Sequence, residues 1–138
     1  MDAPTAGGLG GTYAGNPLSL AAANAVIEVI QEEQLCARAN TLGDKLKARF
    51  NASKADVPEI CEVRGRGSMI AIEFKKADGT PDADLPKKAQ AYALDKGLIT
   101  LTCGMYYNVM RFLFPLTIED EIFDEALDII EEALRASR

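Results

Sequence analysis

The 138-residue sequence predicts an α+β domain, a small, mostly antiparallel sheet with helices on one face, preceded by a connector helix. Three observations predict it. Short apolar runs at 60–63 and 68–74, and again at 98–101 and 109–114, are separated only by bends or brief polar loops. Strands joined that closely pair antiparallel. Between and after these pairs lie segments with apolar residues at three- and four-residue steps, the helical period. The run Leu18–Ile30 stands apart, because it is apolar on most of its sides and a helix of that kind is covered by more than one layer.

In chain order, Asn16-Pro17 reads as an N-cap followed by proline at the first helical position. The alanines of Leu18–Ile30 permit close approach of a neighbour, and Glu32 and Glu33 end the apolar stretch. A second, amphipathic helix places Leu35, Ala39, Leu42, Leu46 and Phe50 on one face and exits at Val57-Pro58. A short strand over 60–63 then meets a bend or bulge at Arg64-Gly-Arg-Gly67, and a stronger strand covers 68–74. Asp78-Gly-Thr-Pro-Asp82 is turn chemistry, and a helix over 84–96 closes on Gly97. A strand over 98–101, a loop over 102–108 and a strand over 109–114 follow. The last helix opens at Thr117-Ile-Glu-Asp120 in a capping-box pattern and carries Phe123, Leu127, Ile130 and Leu134 on its apolar face.

Composition narrows the function. The net charge is −6, from 15 Lys and Arg against 21 Asp and Glu, which disfavours nucleic acid and anionic membrane as partners. No apolar run approaches a membrane span, and the N-terminus has no basic region or apolar signal core. Cys36, Cys61 and Cys103 are odd in number and widely spaced. They read as reduced, semi-buried cysteines of a cytoplasmic protein, with no disulfide or metal framework. The sequence has no histidine, which removes Ser-His-Asp and Cys-His pairs and histidine-based zinc sites.

Two features remain. Gly7-Gly-Leu-Gly-Gly-Thr-Tyr-Ala-Gly15 is a run of nearly bare backbone leading to a helix start, which is either a cradle for a phosphate or other anion or a flexible turn. Arg111 sits mid-strand among apolar neighbours, on the same face as Val109 and Leu113. A guanidinium so placed needs a partner, either an acidic neighbour in a structural ion pair or a substrate carboxylate bound bidentately. Arg64 and Arg66 flank a glycine and read as solvated loop arginines or an anion site. Tyr106 and Tyr107 either line a pocket or are interface or half-buried tyrosines, and the acidic runs of the last helix read as its solvated face. Neither a dinucleotide fingerprint nor a P-loop is present, and spacing nominates no catalytic acid–base pair.

Taken together, Gly-Thr-Tyr-Ala-Gly-Asn-Pro17, Val63-Arg-Gly-Arg-Gly-Ser-Met69, Gly97-Leu-Ile-Thr-Leu-Thr-Cys-Gly104 and Asn108-Val-Met-Arg-Phe-Leu-Phe-Pro-Leu-Thr117 resemble, in order, the C-terminal portion of class III pyridoxal-phosphate-dependent aminotransferases. They are most similar to the bacterial 4-aminobutyrate enzymes. The resemblance implies the C-terminal small domain of a fold-type I enzyme, with a glycine-rich cofactor-phosphate loop over 1–17, a connector helix over 18–33 that packs on a large domain, and the small α+β domain over 34–138. It implies pyridoxal 5'-phosphate as cofactor, a homodimer, small amino and oxo acids as substrates, and no metal.

By position, Gly11 and Thr12 correspond to the loop that contacts the cofactor phosphate across the dimer, and Arg111 to the arginine that binds the substrate carboxylate. The lysine that carries the cofactor lies upstream of Met1 in the family. No catalytic residue is therefore assigned, and the 138 residues alone are expected to be inactive. A free-standing α+β module that binds a small anionic ligand or a protein partner is the alternative.

Overall fold

The computed structural model describes residues 5, 7, 8 and 10–138, and the chain divides into two compact units, Met1–Leu35 and Cys36–Arg138. The glycine-loop assignment over 1–17 thus lies partly outside the described residues, at Met1–Pro4, Ala6 and Leu9.

In the first unit, α1 spans Pro17–Glu32. Asn16 Oδ1 accepts from the amides of Leu18 at 3.0 Å and Ser19 at 3.3 Å, and Pro17 fills the first position, where a missing N–H costs nothing. No residue of α1 is buried, and Leu18, Leu20, Val26 and Ile27 are all exposed. The cover that its composition demands is not supplied by the unit to which it belongs.

The second unit holds α2 (Leu35–Ala52), a 3₁₀ turn, β1 (Ile60–Arg66), β2 (Met69–Phe74), α3 (Asp84–Asp95), β3 (Leu101–Cys103), β4 (Val109–Phe112) and α4 (Asp120–Ala136). The four strands form one antiparallel sheet in the order β1-β2-β4-β3, so the expected α+β architecture is present. Ile70, Ile72, Phe74, Met110 and Phe112 point to one face. There they pack on Leu42, Leu46 and Phe50 of α2, Leu85 and Ala89 of α3, and Phe123, Leu127, Ile130 and Leu134 of α4. Each large side chain so buried contributes about 2 kcal/mol. The opposite face is left uncovered within this unit, and Met69, Leu101 and Arg111 are exposed on it.

Several boundaries differ from the sequence expectation for identifiable reasons. Arg64-Gly-Arg is not a bend: β1 continues through it, because Gly65 at φ 140° keeps the strand paired where a Cβ would lie 2.1 Å from the Met69 carbonyl oxygen. The irregularity falls earlier, between Ile60 and Glu62, and the turn falls at Gly67-Ser68. β3 begins at Leu101 instead of Leu98. The three residues before it are committed to α3: Leu98 N donates to the Ala93 carbonyl at 2.8 Å, and the Gln90 side chain donates to the Thr100 carbonyl at 2.7 Å. β4 stops at Phe112, where its pairing with β2 runs out at Ile70.

The capping box at Thr117 does not form. Arg38 donates to the Ile118 carbonyl at 2.8 Å and pairs with Asp120 at 2.5 Å, which pins the chain in a turn so that α4 starts at Asp120 with Glu119 as an N-cap lacking a side-chain bond.

Two surface expectations are also corrected. Cys36 and Cys61 are exposed, and only Cys103 is half-buried; all three are free thiols. The acid residues of α4 are not simply a solvated face. Asp120, Asp124 and the Asp128–Glu131 pair meet Arg38, Lys45 and Arg49 of α2 in sequence, a ladder of ion pairs that runs between the two helices. No described helix is long and apolar enough to cross a membrane.

Candidate substrate-binding and cofactor-contact residues

Arg111 lies in β4 on the uncovered face, opposite Ala71 of β2 on one side and Leu101 of β3 on the other. Its neighbours along the strand, Met110 and Phe112, turn inward to the core. The guanidinium is therefore not buried, and the sequence left open whether its partner is an acidic neighbour or a substrate carboxylate. Arg111 is exposed and, among the described residues, donates to no carboxylate. Ala71 beside it leaves room that a larger side chain would fill. A cation with a free planar fork of donors on an otherwise apolar strand suits bidentate capture of a carboxylate.

The loop before β4 is fixed at its base. Asn108 is buried; its side-chain amide donates to the Phe74 carbonyl at 3.0 Å, and its own carbonyl accepts from Phe74 N at 2.9 Å. Tyr107 takes φ 55°, an uncommon conformation for a residue with a side chain, and its N–H donates to the Gly104 carbonyl. Tyr106 and Tyr107 are both exposed, so they are not half-buried tyrosines.

Sequence reasoning misplaced another charged group on this face. Arg64, read as a loop residue, is in β1 in the same cross-strand row as Ala71 and Arg111. Its Nη1 donates to Glu62 Oε2 at 2.8 Å and to Glu73 Oε2 at 2.6 Å. The hydrogen bond that it donates to Glu73 holds its pKa above the ordinary arginine value, against the cost of partial desolvation. Alternation of Glu62, Arg64 and Arg66 was the available signal, since charges at every second residue mark one face of a strand.

In the first unit, Gly10, Gly11 and Thr12 are exposed, and among the described residues their amides donate to no backbone acceptor. A Cβ on Gly10 would meet nothing within 4 Å. The loop closes through Ala14 N to the Gly11 carbonyl at 3.0 Å and Asn16 N to the Tyr13 carbonyl at 3.2 Å, directly ahead of the α1 N-terminus. Open amides, a hydroxyl and a helix start are donors of the kind that a phosphate takes. The residues present therefore fit one side of a phosphate group. Gly11 and Thr12 belong to the first unit and Arg111 to the second.

A cleft of about 390 Å³ lies along Leu98, Phe112, Phe114, Ile118 and Phe123. Its lining is apolar but for Thr100 and Arg111, and it offers no acid–base pair. Among the described residues no cluster of metal-ligating side chains occurs.

The family model for class-III aminotransferases matches residues 1–134. The chain belongs to the class-III aminotransferase family. Over 96% of its length it is 53% identical to the 4-aminobutyrate aminotransferase GabT of Escherichia coli and 52% identical to the 5-aminovalerate aminotransferase DavT of Pseudomonas putida. It spans 32% and 31% of those proteins, about a third of each. Among solved structures, it is similar to an ornithine aminotransferase from Toxoplasma gondii described with partial occupancy of PLP at the active site. There the TM-score is 0.81 at 31% identity, over 96% of this chain and 30% of that one. A phospholyase from Arthrobacter in complex with phosphoethanolamine aligns with a TM-score of 0.85 at 30% identity, over 94% of this chain and 31% of that one. The small antiparallel sheet with its helices is thus a class-III aminotransferase fold in a stretch shared with fold-type I enzymes.

Proposed function

We propose that these residues work as the C-terminal third of a pyridoxal-phosphate-dependent aminotransferase that passes an amino group from 4-aminobutyrate, or a similar ω-amino acid, to 2-oxoglutarate. The named activities of the relatives supply the reaction class, and the free guanidinium of Arg111 carries the assignment of a role to this chain. Every substrate of such a reaction bears a carboxylate, and Arg111 is a cation on an otherwise apolar strand with its donors unclaimed among the described residues.

Pyridoxal 5'-phosphate, when bound, supplies the electron sink on which the amino group is transferred. The Thr12 hydroxyl and the backbone at Gly11 contribute donors to the cofactor phosphate, within a loop segment over 1–17. The segment over 18–33 connects to a large domain, whose surface covers the apolar side chains of α1, and 34–138 forms the small domain. A lysine outside these 138 residues carries the cofactor. The working enzyme is a cytoplasmic homodimer in which the phosphate loop of one subunit serves the cofactor held by its neighbour.

The test is Arg111→Gln in the intact enzyme. Loss of a charge-assisted hydrogen bond raises KM for both carboxylate substrates by roughly tenfold or more. Cofactor content, read from its absorbance, stays at the native level. Unchanged KM values for both substrates overturn the role of Arg111.

A further inference from the structure

The strand that carries Arg111 is four residues long and its neighbour β3 only three, so few ladder bonds fix it. The register of β2 with β4 runs to Glu73 opposite Val109, and the next pair along it is Phe74 with Asn108. Half of that pair is ordinary: Phe74 N donates to the Asn108 carbonyl at 2.9 Å. A hydrogen-bonded antiparallel pair exchanges two such bonds, and the second would run from Asn108 N to the Phe74 carbonyl. Here the side-chain Nδ2 of the buried Asn108 donates instead, at 3.0 Å. The preceding residue, Tyr107, takes φ 55°, which turns the backbone out of the sheet. A side-chain amide thus replaces a backbone donor at the point where the loop over 104–107 enters β4.

The loop folds back on the strand that it feeds. Tyr107 N donates to the Gly104 carbonyl at 3.2 Å, and Gly104 takes φ 88°. A Cβ on Gly104 would lie 3.1 Å from Val109 Cγ2 and 3.7 Å from Asn108 Oδ1. Val109, two residues before Arg111 and on the same side of β4, is buried. Asn108 therefore fixes both where β4 begins against β2 and where the loop rests beside it.

We propose that Asn108 is a positioning residue that acts through Arg111, by anchoring the start of β4 and so aiming the guanidinium. This rests on the reading of Arg111 as the carboxylate-binding residue. Bidentate capture depends on the direction of a planar fork as much as on its charge. Arg111 is only three residues beyond the anchor. Met110 and Phe112 stay in the core when the anchor is lost, so β4 remains paired while its first residues and the loop shift against β2. A displacement of about 1 Å in a binding group costs up to roughly a hundredfold, and a smaller shift costs about tenfold. Asparagine suits the position because its amide donates to Phe74; an ionised aspartate of the same shape has no donor.

In the intact enzyme, Asn108→Ala raises KM for both carboxylate substrates roughly tenfold, with kcat changed less and cofactor content at the native level. KM does not depend on how much of the enzyme is folded, so a loss of stability alone lowers apparent kcat and leaves KM where it was. Asn108→Asp keeps the volume and loses the donor; it raises KM likewise and serves where the alanine variant folds poorly. Added to Arg111→Gln, Asn108→Ala gives no further rise, because the group that it positions is gone. An unchanged KM in the Asn108 variants overturns the proposal, as does a further rise in the Arg111→Gln background. Failure of both variants to fold assigns Asn108 to the fold alone and overturns it as well.

In the 138-residue chain, amide exchange over Val109–Phe112 quickens in Asn108→Ala while that of β1 keeps its native rate. Unchanged exchange in β4 overturns the proposal. This signal reports the anchor whether or not Arg111 binds substrate, and an unchanged KM in Arg111→Gln marks instead a failure of the carboxylate reading.

Discussion

Gly43 lies inside α2, where alanine would be the better helix former by about 1 kcal/mol. Packing decides otherwise. A Cβ at Gly43 would sit 1.8 Å from the carbonyl oxygen of Gly67 and 2.7 Å from its carbon, both backbone atoms of the β1–β2 turn. A flexible side chain could move aside, but a turn held by the sheet cannot. Gly43→Ala is expected to destabilise the protein by about 2 kcal/mol net, overpacking outweighing propensity. Thermal or urea unfolding checks it, and a neutral or stabilised variant would show that the turn yields. The sequence gives no sign of this contact, because one glycine in a helix of otherwise regular apolar period reads only as a weakness. Arg111 is the opposite case. Its oddness was legible, but that it faces away from the core, beside Ala71 and Leu101, follows only from the strand pairing.

Among the elements, α2 and α4 are joined twice, by the apolar core and by the ion-pair ladder at their margin. Arg49 is its centre: Nε donates to Glu131 Oε1 at 3.1 Å, Nη2 to Glu131 Oε2 at 2.8 Å, and Nη2 reaches Asp128 Oδ1 at 2.5 Å. The Ser53 hydroxyl completes the cluster by donating to Glu131 Oε1. The hydrogen bonds from Arg49 hold the Glu131 carboxyl below its ordinary value of 4.5, against the desolvation that would raise it. A depressed folded pKa contributes stability that is present in full above 4.5 and is lost as pH falls below it toward the folded value. Glu131→Gln is expected to cost about 1–2 kcal/mol at neutral pH, with the difference from the parent shrinking through the acid limb. Denaturation midpoints measured from pH 7 downward check it; a constant difference would remove the carboxylate as the cause. The acid residues were visible in the sequence. That they are partners of α2, in register along its length, follows only from the way in which the two helices pack.

For the whole molecule, the core consists entirely of residues from Leu42 onward, and α1 buries none of its own. Stability of the second unit should therefore not depend on the first. Residues 36–138 alone are expected to unfold cooperatively within about 4 °C of the full chain, the shift that about 1 kcal/mol produces in a domain of this size. Calorimetry of the two chains side by side checks it, and a much larger fall would assign α1 a structural role. The exposed Leu18, Leu20, Val26 and Ile27 then belong to the assembly in which the proposed enzyme works, where a large domain would cover them.

Local chemistry was sufficient for a good part of this protein. The Asn16-Pro17 start of α1, the Asp78-Gly79 turn, the Gly97 end of α3, the inward residues of β2 and the antiparallel β1–β2 and β3–β4 pairs are all set by neighbours close in sequence, and they appear as the sequence predicts. Ordered motifs likewise pointed to the family. The tertiary structure decided what depends on residues far apart in the chain. Arg38, 82 positions before Asp120, delays the start of α4 and cancels its capping box. Gly43 admits no Cβ because the Gly67 carbonyl, 24 positions later, lies against it. Arg111 comes to lie between Leu101 and Ala71, the latter 40 positions earlier, only when the strands pair. Hydrogen bonds and ion pairs are short-ranged, so their partners are fixed only when the strands and helices that carry them are brought together.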